Sequence, residues 1–215
     1  MVADPRFSGF ESYIMQSYAG WVEAAGARVV PLIMGESKEV LRDKLGRLNG
    51  VLYPGGEGNY SAFGREIFDI LMEINDQGTF MPMWATCAGQ HFVISYVADA
   101  TWSVLDIYEM ESASLTLDFA YEDPSELAMF RGLGPSASLL ETYNVTYNAH
   151  HWSLNPEKFK TDKGLGSFFK PTSLSYMPDG RPFVASMETT GAAAHYPFYL
   201  TQFHPEKATR IFNED

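Results

Sequence analysis

The sequence predicts an α/β fold, a three-layer sandwich with helices packed on a mostly parallel central sheet. The first observation is size, because 215 residues, 46% of them hydrophobic, can bury the core of one domain. The second is that short apolar runs alternate with segments of helical periodicity. The third is an apolar run that turns sharply at Cys87 and continues as a helix. We therefore expect a single domain over residues 1–215.

The first half of the chain alternates between predicted helices and strands. Apolar residues at helical spacing predict a helix over Phe10–Ala25, with Gly26 as its stop. The apolar run Arg28–Ile33 predicts a buried strand. The predicted elements that follow are a helix over Ser37–Leu48, a strand over Gly50–Tyr53 and a helix over Ala62–Asn75.

The segment Pro82–His91 predicts a strand, a tight turn and the start of a helix that continues over Gln90–Ala98. Small residues lie two positions on either side of Cys87, at Ala85 and Gly89, where bulky side chains would collide as the backbone reverses. Such a turn lifts the thiol from the sheet edge. It also brings the sulfur near the free N–H groups of the helix start, which favour a thiolate and a developing oxyanion.

The second half predicts strands with irregular segments between them. Residues 101–120 alternate as a strand does, and residues 121–141 predict a helix and loop interrupted by proline and glycine. Three further strands are predicted, with a turn at Asp179-Gly180 that joins the first two as a hairpin: Ser173–Met177, Phe183–Met187 and Tyr199–Phe203.

A nucleophilic cysteine needs a base, and the sequence offers one at the end of the last strand. On an extended segment His204 and Glu206 point the same way, so the carboxylate orients the imidazole and Pro205 stiffens the link. The alternative is a structural buried cysteine and an ordinary histidine. The combination of elbow, histidine and carboxylate favours a Cys87–His204–Glu206 triad.

Charge and composition exclude several classes of partner. A formal charge of −12 argues against nucleic acid and against an anionic membrane, and no segment has the length and hydropathy of a membrane span. The glycines at 54–58 lack the Lys-Ser/Thr that completes a phosphate-binding loop. A zinc site of His150, His195 and His204 lacks characteristic ligand spacing, so we expect no metal and no cofactor.

Five motifs in order along the chain carry a resemblance to a known family. ATCAGQ around Cys87, FHPEK at 203–207 and LYPGGEGNY at 52–60 resemble the class I glutamine amidotransferase superfamily. Within it, AGARVVPL at 25–32 and NAHHWSLN at 148–155 resemble the gamma-glutamyl hydrolase family. The motifs extend from about residue 10 to residue 208, nearly the whole chain. One motif alone would be weak, whereas five in order are a strong signal.

The resemblance implies a flavodoxin-like fold and cysteine-dependent hydrolysis of gamma-glutamyl amide bonds, in folate polyglutamates or related gamma-glutamyl peptides. It implies a small-molecule substrate, no cofactor, and a lysosomal or extracellular location, with which the sequons at Asn59 and Asn144 agree. The roles it implies are catalytic for Cys87, His204 and Glu206, oxyanion-binding for Gly56 and Ala88, and substrate-binding for His150, Gly55 and His91.

The sequence departs from the family at two positions near the cysteine and at both ends. Ala85 stands where the family has glycine, and His91 stands where it has glutamate. Residues 1–9 supply neither the family's first strand nor an export signal, and the chain stops at Asp215 before the family's last helix. We therefore expect a domain shortened at both ends, with an exposed sheet edge that favours a homodimer.

Two other functions fit the same motifs. A glutaminase of the amidotransferase type would use the same triad, but it would pass ammonia to a partner domain that this sequence does not encode. A non-catalytic paralogue that binds gamma-glutamyl or folate ligands would explain His91 and the short ends. A binding role would not require Cys87, His204 and Glu206, which are all present.

Overall fold

The structure is a computed structural model that describes residues 12–207. Its helices are α1 Gln16–Ala24, α2 Lys38–Leu45, α3 Ser61–Asp76, α4 Ala88–Val97, α5 Leu139–Thr142, α6 Pro156–Thr161 and α7 Lys163–Phe168. Its strands are β1 Val51–Tyr53, β2 Met83–Thr86, β3 Leu105–Leu115, β4 Asp118–Phe119, β5 Thr146–Leu154, β6 Phe169–Tyr176, β7 Pro182–Thr189 and β8 Phe198–Thr201. The predicted mixture of helices and strands is confirmed.

The main sheet has six strands in the order β1-β2-β8-β7-β6-β4. The β1–β2 and β2–β8 pairs are parallel, whereas the other three pairs are antiparallel. The prediction of a mostly parallel sheet is therefore wrong. The cause is the tight turn at Asp179-Gly180, because a connection this short can join β6 to β7 only in antiparallel fashion. The flavodoxin-like arrangement stays a prediction.

The predicted helices of the first half are confirmed within one to six residues at their ends. Within the predicted helix over Phe10–Ala25, α1 begins at Gln16, and Phe10 and Glu11 lie outside the described residues. The side chain of Ser37 caps α2 by accepting a hydrogen bond from the Val40 N–H. The α3 helix buries Ile67, Ile70 and Leu71, as its periodicity predicts, whereas residues 89–94 of α4 are all buried.

The predicted strand over Arg28–Ile33 is not formed. These residues have no ladder partner among the described strands, and Val30 is 47% exposed and Ile33 51% exposed. The neighbouring β1 has only three residues and pairs with β2 alone. An apolar run becomes a strand only when another strand satisfies its backbone groups, and within residues 12–207 no strand pairs with this segment.

The second half contains more turns and a second sheet that the sequence analysis did not separate. The predicted strand over 101–120 is interrupted, because a 3-10 turn over Thr101–Val104 precedes β3 and a short break separates β3 from β4. The β3 strand pairs with β5 in an antiparallel two-stranded sheet. Residues 121–141 contain two 3-10 segments, Pro124–Glu126 and Arg131–Ser138, before α5.

Strand β7 separates two apolar clusters, because successive side chains of a strand face opposite sides of the sheet. Val184 packs with α3, α4 and the parallel strands, while Phe183 and Ala185 pack with Tyr108 of β3. The predicted β6–β7 hairpin is confirmed. No helix within residues 12–207 has the length and hydropathy needed to cross a membrane. A single domain over residues 1–215 stays a prediction.

Candidate active site

Cys87 occupies a strained turn between β2 and α4. Its backbone has φ 50° and ψ −113°, a conformation that residues with a side chain rarely adopt. Ala85 is fully buried. A Cβ added to Gly89 would lie 2.4 Å from the Tyr53 carbonyl oxygen of β1, so only glycine fits there. The predicted strand–turn–helix elbow is confirmed, and the atoms that exclude a side chain at Gly89 belong to the neighbouring strand β1.

The parallel part of the sheet brings Cys87 and His204 to the same edge. The Cys87 N–H donates to the Thr201 carbonyl oxygen at 2.8 Å, which joins the end of β2 to the end of β8. The His204 N–H in turn donates to the Tyr147 carbonyl oxygen of β5 at 2.8 Å. Main-chain hydrogen bonds on both sides therefore fix the histidine beside the elbow.

The His204 ring is oriented by Glu206, as the sequence predicts, but through a different backbone shape. His204 Nδ1 lies 2.8 Å from Glu206 Oε1, and both side chains are buried. The segment is a 3-10 turn over Pro205–Lys207, so the prediction of an extended segment is wrong. Proline favours the first position of such a turn, because its φ is already near the helical value.

Cys87 and His204 lie beside each other, because both are next to Gly55. A Cβ placed on Gly55 would lie 2.9 Å from Cys87 Cβ and 3.0 Å from His204 Cε1. Burial lowers the pKa of His204, but hydrogen bonding and charge from Cys87 and Glu206 outweigh it and raise that pKa to about 9. The imidazole therefore holds a proton at neutral pH, as a thiolate–imidazolium pair requires.

Tyr18 of α1 belongs to the site, although the sequence analysis placed it only on the apolar face of a helix. Its hydroxyl accepts the Gly55 N–H at 2.7 Å and lies 3.3 Å from His204 Nδ1. Burial and the charge of Glu206 raise the pKa of Tyr18, so the hydroxyl stays protonated. No local motif marks this residue, because its partners are 37 and 186 positions away.

The glycines after β1 lie against the elbow. The Gly55 N–H is already bound to Tyr18 and is not free for a substrate oxygen. Gly56 has φ 128°, a value that suits glycine. Ala88 is the first residue of α4, where backbone N–H groups have no partner within the helix. The oxyanion roles of Gly56 and Ala88, and the substrate-binding role of Gly55, stay predictions.

His150 and His151 face opposite sides of β5, as adjacent residues on a strand must. His151 is exposed and lies 2.5 Å from Glu109. His150 is buried against the edge of Phe183, and neither of its ring nitrogens has a hydrogen-bond partner of normal geometry. Burial lowers the pKa of His150 to about 3, so the ring is neutral. Its contact with substrate stays a prediction.

His91 is buried, and its Nε2 lies 2.9 Å from Oε1 of the buried Gln202. Burial lowers the pKa of His91 to about 4, so the ring is uncharged at neutral pH. Gln202 Nε2 lies 3.9 Å from Cys87 Sγ, a contact that no sequence motif indicated. The predicted substrate-binding role of His91 remains a prediction.

The zinc arrangement considered from the sequence is not formed. His195 is exposed, with Nε2 3.0 Å from Asp76 Oδ1 and Nδ1 2.9 Å from the Ala192 carbonyl oxygen. Within residues 12–207, no group of three or more histidine, cysteine, aspartate or glutamate side chains could hold a metal ion.

Comparison with known proteins places these residues in a family. The chain is 35% identical over 204 residues to gamma-glutamyl hydrolase of Rattus norvegicus, an alignment that covers 91% of the chain and 61% of the relative. It is 34% identical over 201 residues to gamma-glutamyl hydrolase of Glycine max, with 91% and 57% covered. Over that span the chain is similar to gamma-glutamyl hydrolases. The resemblance carried by the five motifs is confirmed.

The family also includes more distant members that match the same region. Gamma-glutamyl hydrolase B of Dictyostelium discoideum is 29% identical over 204 residues, which cover 92% of the chain and 57% of that protein. No family model matches the chain. The chain spans about three fifths of the length of these relatives.

Proposed function

We infer that this chain hydrolyses gamma-glutamyl amide bonds, with Cys87 as the nucleophile, His204 as the general acid and base, and Glu206 as the residue that orients His204. The observation that carries the proposal is the buried His204–Glu206 pair beside a cysteine on a strained elbow. Relatives named gamma-glutamyl hydrolase at up to 35% identity support the class of bond.

The reaction proceeds in two steps that regenerate the site. The Cys87 thiolate attacks the amide carbonyl carbon, and the N–H groups of Ala88 and Gly56 bind the oxyanion. The C–N bond breaks, His204 gives its proton to the leaving amine, and a thioester remains. Water then attacks the thioester while His204 accepts its proton. The C–S bond breaks, which releases the acid and restores the thiolate–imidazolium pair.

A folate polyglutamate, or a related gamma-glutamyl peptide, is the proposed substrate. Such a tail is polyanionic, and the chain carries a net charge of −12, so binding requires a local cation. Lys207 supports this proposal, because its Nζ lies 5.1 Å from the centre of the Tyr147 ring, and that ring is 6.3 Å from the His204 ring.

The test is release of glutamate from a short pteroyl-polyglutamate by the purified chain, beside the variant Cys87→Ala. We expect turnover that falls at least about a thousandfold in the variant, because loss of a nucleophile removes the covalent route. His151→Ala is the matched control for His150→Ala: the exposed histidine should be dispensable, and the buried one should not.

Two outcomes would replace the proposal. Turnover of free glutamine, without cleavage of the polyglutamate, would indicate a glutaminase. Binding of the polyglutamate by folded protein with no turnover, unchanged in Cys87→Ala, would indicate a non-catalytic binding protein.

A further inference from the structure

Cys87, Gln202 and His91 meet because of how the sheet is wound. The β2 and β8 strands are parallel neighbours, so the residues that follow them, Cys87 and Gln202, lie side by side at one edge. His91 is one turn into α4, and its N–H donates to the Cys87 carbonyl oxygen at 3.1 Å. Two segments that are distant in the sequence thus meet at Cys87.

The side-chain amide of Gln202 is fully buried and makes contacts at both ends. Its Oε1 lies 2.9 Å from His91 Nε2 and 3.4 Å from Gln90 Nε2. Its Nε2 lies 3.9 Å from Cys87 Sγ, within the range of a hydrogen bond to sulfur. A buried amide is unfavourable unless its groups are paired, and when Gln90 Nε2 and His91 Nε2 both donate to its oxygen, the NH₂ group faces the thiol.

The tautomer of His91 decides this orientation. Burial lowers the pKa of His91 to about 4, against hydrogen bonds to Gln202 and to the backbone of Trp152, so the neutral ring carries a single N–H that can face only one of these two partners. With that proton on Nε2, the ring donates to Gln202 Oε1. With the proton on Nδ1, the ring nitrogen would instead accept from the amide, and the Gln202 oxygen would face the sulfur.

We propose that Gln202 is a further catalytic residue, whose amide donates a hydrogen bond to the thiolate of Cys87. His91 is then a positioning residue that acts through Gln202 by holding the amide in this orientation. The proposal rests on the assignment of Cys87 as nucleophile. It gives the sulfur a neutral donor that remains in place when His204 hands its proton to the leaving amine.

The test uses the reactivity of the thiol and needs no substrate. Cys87 is the only cysteine, so the rate of alkylation by iodoacetamide reports on it alone. Other titratable groups interact with this sulfur from several elements, and their contributions are shared by all variants: Tyr18 of α1, Tyr60 before α3 and His204 after β8.

The variants Gln202→Met and His91→Phe keep the volume and remove the N–H groups. In both, we expect the pH of half-maximal alkylation to rise by about one unit, because a lost donor destabilises the thiolate. His91→Gln restores a donor and should return the profile toward that of the unaltered chain. The control Thr172→Val removes a buried hydroxyl that lies 2.6 Å from Ser186 Oγ, and it should leave the profile unchanged.

Unshifted profiles in folded Gln202→Met and His91→Phe would overturn the proposal while leaving Cys87 as nucleophile. An unaltered chain whose Cys87 reacts like free cysteine at every pH would instead overturn the proposed function. A second measurement uses the unaltered chain and is independent of folding in the variants. Nitrogen-15 chemical shifts of the five histidines should show His91 as the neutral Nε2–H tautomer, and an Nδ1–H tautomer would overturn the proposal.

Discussion

At His204, burial and two partners act on the pKa of the imidazole in opposite directions. Burial alone lowers it, whereas Cys87 and Glu206 raise it, and the result is a pKa of about 9. The protonated ring is the acid that the leaving amine needs. A residue whose ordinary pKa is 6.5 is thus kept protonated through neutral pH by one carboxylate and one sulfur.

The pH dependence of catalysis follows from this balance. We expect kcat/KM to fall as pH rises through about 9, because His204 then loses its proton and the leaving amine loses its acid. Glu206→Gln should move that fall to lower pH, because it removes a charge that raises the pKa of His204. Glu109→Gln, at the exposed partner of His151, is the control. A profile that Glu206→Gln leaves in place would contradict this account.

Helix α4 depends on a single glycine for its distance from β1. A Cβ at Gly89 would lie 2.4 Å from the Tyr53 carbonyl oxygen and 2.9 Å from Tyr53 Cβ. Backbone atoms of a paired strand cannot yield as a side chain can. The elbow that presents Cys87 therefore exists only while α4 and β1 remain this close.

Substitution of this glycine is expected to loosen the whole elbow. Gly89→Ala should lower the free energy of unfolding by about 1–3 kcal/mol, the usual result of overpacking, and should slow alkylation of Cys87. Gly166→Ala in α7 is the matched control, because its added Cβ meets no atom within 4 Å. The control should be neutral or stabilising by up to about 1 kcal/mol. Denaturant unfolding measures both, and equal effects would contradict the steric argument.

The whole molecule holds two neutral histidines inside a strongly acidic chain. Burial lowers the pKa of His91 to about 4 and that of His150 to about 3, from an ordinary value of 6.5. Between those values and 6.5, the unfolded chain binds protons that the folded chain excludes. Folding stability should therefore decrease as pH falls below 6.5.

Substitution can show which histidine lowers the folding stability at acid pH. Each histidine contributes a loss of up to about 1.4 kcal/mol per pH unit below 6.5, so His150→Phe should flatten the decline. The partnered, exposed His151 has its pKa raised by Glu109, and His151→Ala should retain the decline. Urea midpoints between about pH 7 and about pH 4 measure the slope. An equally steep decline in His150→Phe would contradict the assignment.

The sequence by itself determined the features that depend on neighbouring residues. Ala85 and Gly89 on either side of Cys87 predict the elbow from neighbouring positions, although the atoms that exclude a side chain at Gly89 belong to Tyr53 of β1. His204 and Glu206 are two residues apart and meet whether the backbone is extended or in a 3-10 turn. Asp179-Gly180 predicts the hairpin because the turn that joins β6 to β7 is formed by adjacent residues.

Tertiary structure decided what depends on distant partners. The Arg28–Ile33 segment has strand composition, but no strand within residues 12–207 pairs with it. Tyr18 reaches His204 and Gly55 only after α1 packs beside the parallel strands, and Gln202 reaches Cys87 only because β8 lies next to β2. Adjacent residues determine the local backbone conformation. The packing of the whole chain determines which strands pair and which buried polar groups come into contact.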